Sequence, residues 1–260
     1  MAKLSNKRIL VIGGTSGIGL AVAKASLETC AKVTIASSSP ERVTSTVESL
    51  KAEFPHASIT GHACDLSSET VEAEIESLFE KVGTVDHIVY TAGDKIAATP
   101  VEEITREKII AAGQLRFIAP MLVTAKVASS MKRSDRSPYL SPGPDSSITL
   151  TTGTAWERPV PFWTITASYL GGVGSMARNL ALELRPVRVN VVSPGLVDTE
   201  LWDALLSEEQ KGELFQEVKA KNPTGRVARP EDVAEAYLYL MRDVNITGRI
   251  ISSDSGASLV

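Results

Sequence analysis

GGTSGIG, residues 13–19, closes the β-branched run RILVIG (8–13) and opens a helical pattern over 17–29. A glycine-rich turn between a strand and a helix lets backbone N–H groups approach a phosphate. The orphan donors and dipole of the helix N-terminus favour negative charge there. Glycine clusters alone carry little information, but this one sits inside a βαβ unit, which reads as a dinucleotide-binding loop.

Outward from this loop the chain alternates short apolar runs with longer helical patterns. The strands are expected at 8–13, 32–37, 57–60, 87–92, 147–152, 188–193 and 248–253, and the helices at 17–29, 40–53, 68–82, 104–132, 164–184 and 230–242. Near-continuous apolar strands separated by helices predict an α/β fold of the Rossmann type. That is a doubly wound parallel sheet of about seven strands with helices on both faces. Two stretches break the rhythm. SDRSPYLSPGPDSS (134–147) has the composition of a surface loop, and the helical stretch 199–232 reads as a lid over the strand ends, spanning about 199–228. Neither resembles a linker, so one domain over 1–260 is expected.

Bulk properties narrow the partners. The chain has 260 residues, 43% hydrophobic and 22% charged, with a net charge of −4. That balance is ordinary for a soluble globular domain and gives no electrostatic footprint for nucleic acid. No apolar run approaches the roughly 18 residues of a membrane span, so no membrane partner is expected. The N-terminus lacks a signal-peptide pattern. Cys30 and Cys64 have no metal-ligand spacing, no metal is expected, and two free thiols point to a reducing, cytoplasmic setting.

Further motifs in order along the chain resemble those of the short-chain dehydrogenase/reductase family. IGGTSGIG (12–19) is similar to its T-G-x-x-x-G-x-G, with Ile12 in place of the Thr. YTAG (90–93) stands where the family has N-A-G, SPGLVDT (193–199) matches P-G-x-V-x-T, and ITGRIISSDSG (246–256) matches the C-terminal motif. The resemblance implies a dinucleotide held by Gly13, Gly14, Thr15, Ser16, Gly17, Ile18 and Gly19. It adds Asp65 and Leu66 at the adenine, then Thr91, Ala92, Gly93, Pro194, Gly195, Val197 and Thr199. At the end of the second strand, IASSSPERV has Ser37 where an NAD-type member has an acid. With Ser38, Ser39 and nearby Arg42 offering donors and no carboxylate present, NADP(H) is the expected cofactor.

The family also implies a Ser-Tyr-Lys set, often with an Asn, and here the sequence departs from it. In TITASYLGGVGS (164–175), taking Tyr169 as the catalytic Tyr puts Val173 at the Lys position. Anchoring on LALEL (180–184) puts Thr166 at Tyr and Leu170 at Lys. The second register is preferred, because a helix rarely absorbs an insertion; either way the Lys is gone. The Ser position falls at Thr152 and the Asn position near Arg116.

The candidate catalytic residues are thus Thr152, Thr166, Arg116 and Asp94, with Glu157 and Arg158 as further polar groups at the mouth. The histidines lie away from it. Trp156, Phe162, Trp163 and Trp202 are candidate walls of a substrate pocket. Three functions follow: an NADP(H)-dependent reductase of a ketone, imine or iminium in a biosynthetic pathway; a cyclase or isomerase, including a Diels–Alderase, on the same scaffold; or a non-catalytic cofactor-binding protein. A small-molecule substrate is expected, and the family implies a homodimer or homotetramer. Gly171, Gly172 and Gly174 suggest close approach to a neighbour or to the cofactor.

Overall fold

The computed structural model describes residues 3–96, 98–135, 137–203 and 205–260. Arg136 in the Ser/Pro-rich loop and Ala204 in the lid stretch therefore lie outside the described residues. Seven parallel strands form one sheet in the order β3-β2-β1-β4-β5-β6-β7. They are β1 (Arg8–Ile12), β2 (Lys32–Ser37), β3 (Ser58–Ala63), β4 (His87–Tyr90), β5 (Ser147–Thr151), β6 (Arg188–Pro194) and β7 (Ile250–Ser253). The helices are α1 (Gly17–Glu28), α2 (Pro40–Glu53), α3 (Val71–Val82), α4 (Arg106–Gly113), α5 (Ala119–Met131), α6 (Thr164–Glu183), α7 (Glu200–Asp203), α8 (Glu208–Lys221) and α9 (Pro230–Arg242). The doubly wound parallel sheet is as expected.

Strand alternation explains why the sheet is covered twice. Leu10, Ile12, Ile88 and Tyr90 face one core with Phe79, Val123 and Val127. Ile9, Val11 and Val89 face the other, with Val22, Val233 and Tyr237. Every second residue points the same way, so each strand must be apolar on both sets.

The expected single helix over 104–132 divides into α4, a π-helical turn (Gln114–Ile118) and α5. A π turn carries one extra residue and re-aims the side chains it holds, which no apolar period reveals. Taken together, Arg106–Met131 is also long and apolar enough to cross a membrane, with mean hydropathy 1.3, contrary to the expectation that no such run exists. Here Ala119, Val123 and Val127 belong to the core instead. The glycines of α6 serve contacts within the chain. A Cβ on Gly172 would lie 2.7 Å from the Phe117 ring, and one on Gly174 would lie 2.6 Å from Ile250 Cδ1. They are therefore no signature of a subunit contact.

At the start of β4, far from the strand ends that bear the loops, His87 is 1% exposed. Its Nδ1 lies 2.9 Å from Ser147 Oγ, and Nε2 has no partner among the described residues. Burial, then the charge of Arg188, push its pKa down to about 3. The unfolded chain titrates near 6.5, so above that pH both states are neutral and nothing is lost. Below it only the unfolded chain takes up the proton, and stability falls with a slope approaching about 1.4 kcal/mol per pH unit toward pH 3. Urea midpoints between pH 7 and 4 should drop more steeply for the native chain than for His87→Gln.

Candidate functional site

The order of the sheet reverses between β1 and β4, and open α/β sheets bind ligands in the crevice at such a point. The loop after β1 and the end of β4 meet there with no room to spare. A Cβ on Gly13, whose φ is +90°, would lie 2.5 Å from Ala92 N. One on Gly19 would lie 2.2 Å from the Gly13 carbonyl oxygen and 2.4 Å from Thr91 Oγ1. Thr91 fastens the seam by donating from its backbone N–H and its hydroxyl to the Ile12 carbonyl, at 2.8 and 3.1 Å. The first turn of α1 has no acidic residue, and its N-cap, Ser16, makes no side-chain hydrogen bond. Apart from the N–H of Gly17, which donates to Glu200 Oε2 at 3.1 Å, its orphan donors remain for an anion.

A cleft of about 700 Å³ opens from this seam across the ends of β4, β5 and β6 to the lid. It is lined by most of the residues anticipated for a dinucleotide: the loop from Gly13 to Gly19 except Gly14, with Ser37, Ser38, Asp65, Leu66, Thr91, Ala92 and Gly93. Pro194, Gly195, Val197 and Thr199 complete that lining. Two anticipated residues stand elsewhere. Gly14 packs against β2, where a Cβ would lie 2.8 Å from the Ile35 side chain. Ser39 caps α2, accepting from Arg42 N–H at 3.2 Å and donating to Glu41 at 2.7 Å. Ser37 accepts a 3.0 Å bond from Thr15, and Arg42 reaches toward the Ser38 hydroxyl at 3.5 Å. Asp65 Oδ1 accepts from Ser67 N–H and hydroxyl at 3.0 and 2.6 Å, leaving Oδ2 to the cleft.

At the other end, Thr152, Thr166 and Leu170 all line the cleft, and all three are buried. Tyr169 does not line it. One residue further round α6, it is wedged against α4, where a Cβ on Gly113 would lie 2.4 Å from its ring. Its hydroxyl donates to the Ile109 carbonyl at 3.0 Å, and its ring lies 5.3 Å from that of Phe117 in the π turn, tilted by 40°. Thr152 Oγ1 lies 2.7 Å from the Leu170 carbonyl oxygen. A carbonyl cannot donate, so the single hydroxyl proton of Thr152 is committed to it, and Thr152 offers the cleft only lone pairs. Among the described residues the Thr166 hydroxyl makes no hydrogen bond.

The π turn delivers Arg116 to the cleft opposite. Its Nε lies 3.2 Å from Asp94 Oδ1, and the guanidinium also donates to the Asp94 carbonyl. Burial lowers the Arg116 pKa, while Asp94 opposes that shift. Of the four expected aromatic walls, Trp163 and Trp202 line the cleft, the latter anchored by its Nε1–H on the Val197 carbonyl at 2.9 Å. Trp156 and Phe162 do not; Phe162 is 58% exposed, held at φ +67° before α6. Glu157 and Arg158 also lie off the cleft, and Arg158 donates instead to the Ala257 carbonyl at 2.7 Å. The sequence reading missed the aliphatic lining from the lid, Leu201 and Leu214. Their signal was weak: two leucines in a largely polar helical stretch.

A family model described as an SDR-like Rossmann domain matches residues 1–260. The short-chain dehydrogenase/reductase fsr5 of Gibberella fujikuroi is 38% identical over 266 residues, covering 100% of this chain and 97% of its own. The short-chain dehydrogenase/reductase malC of Malbranchea aurantiaca is 39% identical over 263 residues, covering 98% and 96%. Among solved structures, the MalC reductase/Diels-Alderase of Malbranchea aurantiaca superposes with a TM-score of 0.91 at 38% identity, covering 100% of this chain and 99% of that one. A small-chain dehydrogenase in complex with NADPH superposes with a TM-score of 0.76 at 26% identity, covering 98% and 100%.

The position of Tyr169 has a measurable consequence. Removing a tyrosine proton relay costs roughly 10²–10⁴-fold in rate. Tyr169→Phe should instead leave turnover within about a factor of two, while the lost hydrogen bond to Ile109 lowers stability by about 1 kcal/mol. Steady-state rates and urea melts of the variant check both.

Proposed function

Because the chain belongs to the short-chain dehydrogenase/reductase family, we propose that it is an NADP(H)-dependent reductase in a biosynthetic pathway, whose preferred substrate carries an imine or iminium carbon. The cleft fits the cofactor. The Gly13–Gly19 seam and the N–H groups at the start of α1 suit a pyrophosphate, Asp65 suits an adenine amine, and Ser37, Ser38 and Arg42 suit a 2′-phosphate. When bound, the dihydronicotinamide supplies a hydride.

The observation that carries the substrate class is the commitment of the Thr152 proton to the Leu170 carbonyl at 2.7 Å. A ketone reduced to an alcohol needs a proton at its oxygen. Here Leu170 stands at the family's Lys position, Thr166 at its Tyr position, and Thr152 has no proton left to give. Serine and threonine hydroxyls are far weaker acids than a Lys-assisted tyrosine, so Thr166 is a poor donor at neutral pH. An iminium carbon accepts hydride without any proton. Near it stand the lone pairs of Thr152 and an Asp94 carboxylate paired with Arg116, a couple that offers no acid as strong as a Lys-assisted tyrosine. Arg116 holds Asp94 in place. Trp163, Trp202, Leu201 and Leu214 exclude water from an electrophile that hydrolyses readily.

A second reading, stereocontrolled cyclisation with or without reduction, is favoured by the likeness to the MalC reductase/Diels-Alderase over the whole chain. The same walls would hold a flexible product folded for ring closure. Replacing NADPH with NADP⁺ separates the two. Enantiomeric bias in a cyclised product that persists with NADP⁺ belongs to cyclisation, and its absence leaves reduction alone.

The expected outcome with NADPH is faster reduction of a cyclic iminium salt than of the matched ketone, by about 10²-fold or more, the usual worth of a general acid. Thr166→Tyr with Leu170→Lys should narrow that gap by raising the ketone rate. Equal rates on both substrates with the native enzyme would overturn the reading.

A further inference from the structure

The lid carries a carboxylate into the phosphate loop. Gly17 is the first residue of α1, and its N–H is one of the orphan donors at that helix end. It donates to Glu200 Oε2 at 3.1 Å, from a residue 183 positions away in the chain. Glu200 is the first residue of α7, the short helix that opens the lid. Neighbouring contacts hold α7 in this seat. A Cβ on Gly17 would meet Thr199 Cγ2 at 3.1 Å, so the Thr199 side chain packs closely on the loop. Lys211 of α8 reaches Asp198 at 3.0 Å and Asp203 at 2.6 Å, bracketing Glu200 on both sides. Lys211 also lies 5.4 Å over the Phe215 ring. The lid's base is closed by the bridge between Val197 and Ala228, with Asp198 N–H donating to the Ala228 carbonyl at 2.9 Å.

We propose that Glu200 is a built-in competitor for the dinucleotide's phosphates, a lid carboxylate that occupies a donor of the phosphate loop and must be displaced when the cofactor binds. The argument is one of charge. α1 supplies its own N-terminus with no acid and no side-chain cap. The carboxylate that meets it therefore comes from the element that must also move to admit ligand. Two anions cannot share the same few donors without repulsion, so seating the lid on the loop and seating a pyrophosphate there oppose one another. Lys211 pairs with Asp198 and Asp203, while Glu200 between them in sequence is the carboxylate that meets the loop. The device couples cofactor arrival to release of α7, which itself carries Leu201 and Trp202 of the substrate end.

This inference rests on the cleft's taking NADP(H), and not on the substrate reading. The test is a fluorescence titration with NADPH of the native chain, Glu200→Gln and Glu200→Ala, alongside hydrogen exchange of the amides at 199–203. Both variants should bind NADPH about three- to tenfold tighter, the size of one exposed charge contact, and the gain should shrink at high salt. In the cofactor-free state both variants should exchange at 199–203 as fast as the native chain does only with NADPH bound. Equal or weaker binding by both variants, or tighter binding with no change in exchange, overturns the competitor. Failure of the native chain and both variants to bind NADPH overturns the cofactor reading as well. Glu200→Gln keeps the side chain's shape, so the test survives if the alanine variant folds poorly.

Discussion

The contact on which the cleft depends is one of backbone with backbone, between the loop after β1 and the end of β4. Gly13 and Gly19 leave no space for a Cβ against Ala92 and Thr91. The parallel sheet places these two strand ends side by side, because the chain order reverses between them. Given that juxtaposition, glycine is the residue that lets the strands pair up to their ends while the first turn of α1 faces the crevice. Everything further along the cleft is then positioned by strand ends at fixed lateral spacing: Thr152 after β5, Pro194 at the end of β6 and Gly195 just beyond it.

That rigidity lets the side chains of α6 that face the cleft differ without changing the fold. Leu170 is 6% exposed and contributes to the cleft as an apolar group, while its backbone carbonyl takes the Thr152 proton. A lysine in its place would bring charge and donors; leucine brings neither. On the proposed reading, the site then has no strong acid to supply a proton to the substrate. A scaffold that orients a hydride donor remains useful only for an electrophile that is already activated.

The fold was legible because its signals are local. Strand alternation, the glycine loop and the Pro-initiated helices at Pro40 and Pro230 are set within a few residues, and β2, α2 and α9 have the bounds the sequence predicts. Parts of the site were not legible because they depend on pairings across the chain. Ser39 had the right residue type for a 2′-phosphate but its hydroxyl is engaged as the α2 N-cap. Trp156 and Phe162 had the right composition for a wall, yet the turn before α6 leaves both exposed. The aim of Arg116 is set by a π turn, an insertion that periodicity averages away.

Glu200 belongs to the same class of feature. In the sequence it is one acid among several in a helical stretch, and nothing local distinguishes it from Glu208 or Glu209, which sit in the first turn of their own helix α8. The difference is which helix N-terminus each one meets. Glu208 and Glu209 favour the start of α8, and they help to keep that helix folded. Glu200 meets the start of α1, where the same favourable interaction stabilises a particular placement of the lid instead. Such an interaction is small at a surface, and on the proposed competition it biases the lid's equilibrium toward the phosphate loop. A dinucleotide that brings more negative charge to the same donors then shifts that equilibrium by the difference in its affinity for the two states.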